Sequence, residues 1–171
     1  STDALHVKDS FGKSIKLIID SGRSKFGLES TVINLTSKPY LIERMGIVDE
    51  KEILRKTKII VLHKDMTNYN TVVSPGQIKK HYSPNTPLRL NADYPLADEA
   101  FLAFGDVELK PSKFYLNLSN NSNLEKAAYN LFDFLRKLDK VKKKTIAVSP
   151  IPMIGIGKTI NERLIRASNY E

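Results

Sequence analysis

The segment Leu124–Leu138 constrains the fold of this 171-residue chain more than any other part of it. Leu124, Ala127, Ala128, Leu131, Leu135 and Leu138 recur at three- and four-residue spacing, which puts them on one face of a helix. Ser122, followed three residues later by Glu125, reads as a capping box at its start. So long an apolar stripe needs a surface to bury against, and short apolar runs flank it. Phe101–Phe104 and Phe114–Leu118 read as strands before the helix, and Thr145–Ser149 as a strand after it. Lys158–Ala167 follows as a final helix with Ile160, Leu164 and Ala167 inward. Strand, strand, helix, strand, helix predicts a small α/β layer with a partly parallel sheet.

Upstream the pattern is shorter and richer in β-formers. Ile15–Asp20, Thr31–Leu35, Tyr40–Glu43 and Ile59–Leu62 are strand candidates, punctuated by Gly22, Gly27, Pro39 and Gly46. Asp49 can cap a short helix running to Thr57, with Glu52 three residues on. Residues 63–87 are polar, carry several Asn and Thr, and are broken at Pro75, Gly76 and Pro84. They read as a linker or a long ordered loop. The expected organisation is a first portion over 1–62, a linker over 63–87 and a small α/β domain over 88–171.

Composition narrows the chemistry. There is no cysteine, so disulfides and thiolate metal sites are excluded, which fits a cytoplasmic location. No apolar run approaches the roughly 20 residues needed to span a bilayer, and no membrane association is expected. The formal net charge of +8 favours phosphate-bearing partners. The excess is spread over both halves. Its one dense run, Lys140 with Lys142–Lys144, reads as a solvated helix end that complements the helix dipole.

Four constellations could carry chemistry. In Gly27-Leu28-Glu29-Ser30-Thr31-Val32-Ile33-Asn34, hydroxyls and backbone N–H groups at a strand entrance can hold phosphate or carboxylate oxygens; taken alone, these residues read first as a hairpin turn leading into a β-branched strand. In Glu43-Arg44-Met45-Gly46, an Arg at a strand end can aim its planar fork at a phosphate, or can pair with an acid such as Glu43. Ser74-Pro75-Gly76, followed by Lys79, His81, Tyr82, Ser83 and Pro84, puts a stiff turn and a His-Tyr pair inside a polar linker. Tyr82 could cover a small ligand, His81 could serve as base or donor, or the pair could merely anchor the linker. Gly155-Ile156-Gly157-Lys158-Thr159 mimics the end of a phosphate-binding loop, but Pro152 stands where that loop needs a glycine and cannot donate an N–H. A tight strand-to-helix turn is the reading preferred there. None of His6, His63 and His81 shows the i, i+4 pairing of a helical zinc site.

The order of these motifs resembles the two-domain threonylcarbamoyl-AMP synthases. Ser1-Thr2-Asp3-Ala4 with His6-Val7 is similar to the end of the Ser/Pro-Thr-x-Ala-x-x-Val segment of their YrdC-type domain. Ile18-Ile19-Asp20-Ser21-Gly22 and Glu29-Ser30-Thr31-Val32 resemble later segments of that domain, and Arg44-Met45-Gly46 sits where its members carry Arg-Pro-Gly. Ser74-Pro75-Gly76 and His81-Tyr82-Ser83-Pro84 resemble their interdomain linker. Leu118-Ser119, Asn130-Leu131-Phe132, Leu135-Arg136, Leu138-Asp139, then Gly155, Gly157, Asn161 and Arg163-Leu164, resemble their C-terminal domain. Met45 for Pro, Asn34 for Asp and Ser21 for Gly are departures from the pattern.

The resemblance implies an α/β chain: the C-terminal portion of an α+β YrdC-type domain linked to a small Rossmann-like α/β domain. It implies an enzyme that joins L-threonine, bicarbonate and ATP, with Mg²⁺, into threonylcarbamoyl-AMP for the modification of adenosine 37 in tRNA. Direct tRNA binding is not required for that step. Ser30 and Thr31 would bind threonine; Arg44 and Tyr82 would bind ATP, with Lys79 and His81 as weaker candidates. The Lys/Arg-rich nucleotide motif of the family lies upstream of the region resembled here, so a separate N-terminal half is an expected partner. The alternative is a non-catalytic remnant or regulatory α/β module that binds a nucleotide or partner.

Overall fold

A computed structural model describes residues 2–63, 84–108 and 114–168. The chain begins with helix α1 (Ala4–Phe11), where the Asp3 carboxylate accepts the His6 backbone N–H at 2.9 Å. The sequence reading missed this helix, although Asp followed by Ala-Leu-His-Val is an acceptable capped start. It also placed a strand at Ile15–Asp20, and that strand is absent. Residues 15–20 find no pairing partner among the described residues, and Leu17 and Ile19 are 75% and 86% exposed.

Next come β1 (Val32–Asn34), β2 (Tyr40–Arg44), helix α2 (Glu50–Thr57) and β3 (Val61–His63). β1 and β2 pair antiparallel and β2 and β3 parallel, giving the order β1-β2-β3. Ile42, Ile53 and Val61 close a small core between this sheet and α2. Asp49 caps α2 as expected, its carboxylate accepting the Glu52 N–H at 2.8 Å.

The second sheet holds β4 (Leu88–Arg89), β5 (Glu99–Ala103), β6 (Tyr115–Asn117) and β7 (Thr145–Val148) in the order β4-β7-β5-β6. Every pairing in it is parallel. Helix α3 (Leu124–Lys140) crosses from β6 to β7, and α4 (Ile156–Ser168) follows β7. Strand residues alternate between faces, as the period of two requires. Ala100, Leu102, Ile146 and Val148 pack with Leu131, Leu138, Ile160 and Leu164 of the helices. Phe101, Ala103 and Ala147 face the other way, under Tyr115 and Val107. The chain is therefore α/β with a parallel sheet.

The start of α3 differs from the expected capping box. Asn123, not Ser122, is the cap, its side chain accepting the Lys126 N–H at 2.7 Å. The Ser122 N–H donates to the Ser119 carbonyl, and Ser122 takes a φ of 56° to close that turn. The extended cap position is thereby shifted one residue along. At the α4 end, the Gly157 and Lys158 N–H groups donate to the Ile154 and Gly155 carbonyls, so Gly155–Lys158 forms a tight strand-to-helix turn.

Candidate functional site

The residues singled out in the first portion meet at one place. Ser30 and Thr31 enter β1, and Arg44 ends β2, where Val32 and Arg44 are register partners. The register shifts between Val32 and Ile33, a bulge that bends the strand beside Ser30 and Thr31. The Arg44 guanidinium donates from Nε and Nη2 to the Ser30 carbonyl at 3.2 and 3.1 Å. Nη2 also lies 3.3 Å from the Ser30 hydroxyl oxygen. Thr31 donates its hydroxyl to the Val48 carbonyl at 2.6 Å. A hydroxyl, a strand-entry backbone and a guanidinium thus share one partly exposed surface.

Two glycines explain why the sequence can bring these parts so close. A Cβ on Gly46 would sit inside the backbone of Glu29, Ser30 and Thr31. A Cβ on Gly27, whose φ is 71°, would collide with the Ala128 carbonyl and the Tyr129 backbone of α3. Gly27 therefore seats the approach to Glu29 on the second layer, and Gly46 seats the β2 exit against Ser30 and Thr31.

Beneath lies a buried polar network that the sequence reading missed. Arg163 on α4 reaches Glu29 Oε2 with Nε and Nη2, both at 3.2 Å. Its Nη2 also donates to the Met45 carbonyl at 2.9 Å, and its Nη1 to Glu162 at 2.8 Å. Glu162 also accepts from Arg166. The Thr159 hydroxyl donates to the Gly46 carbonyl at 2.9 Å. Glu29 Oε1 is buried and has no hydrogen-bond partner among the described residues. A signal for Arg163 existed in the sequence: it lies three residues after Ile160 and four before Ala167, on the inward stripe of α4, where an unpaired charge is not tolerated.

Two further ion-pair clusters tie the first portion to the second. Lys158 at the start of α4 and His63 at the end of β3 both engage Glu50, His63 Nε2 at 3.1 Å. Burial raises the Glu50 pKa, but bonds from Lys158, the backbone and His63 outweigh it and hold the group at about 2. Asp3, His6 and Asp133 converge near α3, with His6 Nε2 3.5 and 3.7 Å from the two carboxylates. Burial holds the His6 imidazole below its ordinary range despite those neighbours. Asp133 is balanced by Lys137 at 2.9 Å and Arg23 at 3.6 Å, so this cluster is an ion-paired tether. Asp133 lies 127 or more positions from His6 and Asp3, a pairing that no local spacing reveals.

Tyr82, Lys79, His81 and Ser74–Gly76 lie outside the described residues. Among the described residues, the only carboxylate bordering Ser30 and Thr31 in sequence, Glu29, is bound by Arg163. Hydroxyls and a guanidinium do not make the oxygen cage a magnesium ion takes, so these residues do not fit a Mg²⁺ site.

Residues 42–169 match the family described as "Threonylcarbamoyl-AMP synthase, C-terminal domain". The chain is similar to proteins named threonylcarbamoyl-AMP synthase from Pyrococcus abyssi (28% identical, covering 99% of this chain and 54% of that protein) and Bacillus subtilis (26%, 98% and 53%). A third, from Schizosaccharomyces pombe, is 28% identical, with 98% of this chain and 48% of the relative covered. The fold is similar to the crystal structure of P. abyssi Sua5 complexed with L-threonine, with a TM-score of 0.82 and 26% identity over 99% of this chain and 54% of that one. The chain spans about half the length of the curated relatives it matches.

Proposed function

Because this chain belongs to the threonylcarbamoyl-AMP synthase C-terminal-domain family, we propose that it is the C-terminal part of such an enzyme and serves the threonylcarbamoyl modification of tRNA. One observation carries this reading furthest. Arg44 lies on Ser30, 14 positions away, although the two were picked out for different substrates. A threonine held at Ser30 and a phosphate held at Arg44 would be neighbours, as a condensation between them requires.

In the proposed reaction, threonine nitrogen and bicarbonate carbon form a carbamate with loss of water. A carbamate oxygen then attacks the α-phosphorus of ATP, the bond to the β-phosphate bridge breaks, and pyrophosphate leaves. Ser30 orients threonine through its hydroxyl and adjacent backbone, with Thr31 fixed beside it by Val48. Arg44 places positive charge where phosphate charge collects. Tyr82, which lies outside the described residues, is the linker residue proposed to bind ATP, and the proposed location is cytoplasmic. No helix among the described residues is long and apolar enough to cross a membrane.

The half of the relatives' length that this chain does not span completes the reading. Leu5, Phe11, Leu17 and Ile19 are exposed on the first portion. Exposed apolar side chains of that kind favour a covering segment, and the half of the relatives' length that this chain does not span is the occupant proposed. The test is kinetic, on the chain combined with that half. Ser30→Ala should raise the threonine KM about tenfold or more with a smaller change for ATP, and Arg44→Ala should do the reverse. Equal effects on both substrates, or no product by mass spectrometry from the unmutated pair, would sink the reading.

A further inference from the structure

Ser30 and Thr31 are contacted within their own layer by Arg44, Val48 and Gly46, but the residues that flank this turn are held by the other layer. Residues 27 and 28 rest on α3: Gly27 against the Ala128–Tyr129 backbone, and Leu28 within the main core. Residue 29 and residues 45 and 46 are held by α4, through Arg163 and Thr159. Ser30 and Thr31 are thus bracketed by anchors that belong to the second sheet's helices.

Arg163 is the centre of this bracket. It is 6% exposed and spends its three guanidinium nitrogens on Glu29, the Met45 carbonyl and Glu162. A planar fork can serve three acceptors in fixed directions; an ammonium cannot reproduce that geometry. Arg166 balances Glu162, so the buried and half-buried set of two arginines and two glutamates is neutral when all are ionised. Rotating the Arg163 guanidinium would release both sides of the turn at once, because Glu29 precedes Ser30 and Met45 follows Arg44.

We infer that Arg163 is a positioning residue for the threonine segment, so that the C-terminal layer sets how Ser30 and Thr31 are presented. This rests on the functional reading above and adds a role for a residue that touches no substrate. Arg163→Lys, in the chain combined with its N-terminal half, keeps a buried cation but loses the fork. It should raise the threonine KM about tenfold. Glu29→Gln should do likewise, and the double variant should be no worse than the poorer single one, since both break the same link. Ile146→Val, a change in the main core that touches none of the Arg163 hydrogen bonds, controls for general destabilisation and should leave the threonine KM within about twofold.

Hydrogen exchange at residues 29–32 gives a readout independent of turnover, and it should accelerate in Arg163→Lys but not in Ile146→Val. If the unmutated protein makes product and Arg163→Lys leaves both the threonine KM and the exchange unchanged, the positioning role is overturned and the functional reading stands. If the unmutated protein neither binds threonine nor makes product, the functional reading falls. The link to Ser30 and Thr31 is then judged by exchange alone, with faster exchange supporting it and unchanged exchange overturning it.

Discussion

Replacing Gly46 with alanine puts a methyl group where the structure has backbone. The atoms it would meet are the Thr31 nitrogen, the Ser30 carbonyl carbon and the Glu29 oxygen, none of which is the far end of a flexible side chain. Overpacking a well-filled site costs about 1–3 kcal/mol, and unyielding backbone argues for the upper part of that range. Alanine in place of glycine returns about 0.4–1 kcal/mol by restricting the unfolded chain. The net expectation is a loss of about 2 kcal/mol, or roughly 4–8 °C in Tm for a chain of this size. Relief by movement would have to stretch the Arg44–Ser30 or Thr31–Val48 bonds, so threonine binding should weaken in the same variant. Thermal unfolding by circular dichroism, followed by threonine titration of the chain combined with its N-terminal half, reads both. A Tm within about 1 °C of the parent with unaltered threonine affinity would refute the close approach.

Other outcomes follow from the same contacts. The Glu50 carboxyl is held at about 2 in the folded chain against 4.5 ordinarily, so it stabilises the fold above pH 4.5 and loses that contribution as pH falls toward 2. Glu50→Gln should therefore flatten the Tm profile between pH 5 and pH 2, and an unchanged slope would contradict the Lys158–Glu50–His63 cluster. Asn123→Ala should lower stability by about 1 kcal/mol in denaturant unfolding, as expected for a lost N-cap. Ser122→Gly should stabilise, because it relieves a left-handed backbone in a non-glycine residue; the opposite ranking would restore the capping box read from the sequence.

The second layer was legible because its helix is strongly periodic and its buried strands are unbroken apolar runs. The stripe from Leu124 to Leu138 predicted α3 within a few residues, and the short apolar runs Phe101–Phe104 and Thr145–Ser149 marked strands on either side of it in sequence. Ile15–Asp20 misled because an apolar run specifies a strand only if a partner edge is available, and none is described for it. Two-residue β4 is too short to carry a period. At the candidate site, Ser30, Thr31 and Arg44 were found by motif order, but what holds them was not. Arg163 and Thr159 act across more than 110 positions, a distance over which sequence spacing carries no geometry. Gly46 was visible as punctuation only; its reason, the backbone it touches, is tertiary.

These residues are proposed to form the C-terminal side of a threonylcarbamoyl-AMP-forming site. That claim is tested most directly by ATP–pyrophosphate exchange dependent on threonine and bicarbonate, measured on the 171 residues alone and together with an N-terminal half. No exchange is expected from the chain alone, where phosphate charge lacks most of its cationic partners, and exchange on combination should disappear when threonine or bicarbonate is left out. Exchange by the chain alone would contradict the divided site. Absence of exchange from the combined, folded pair would contradict the claim itself and favour a binding module without chemistry.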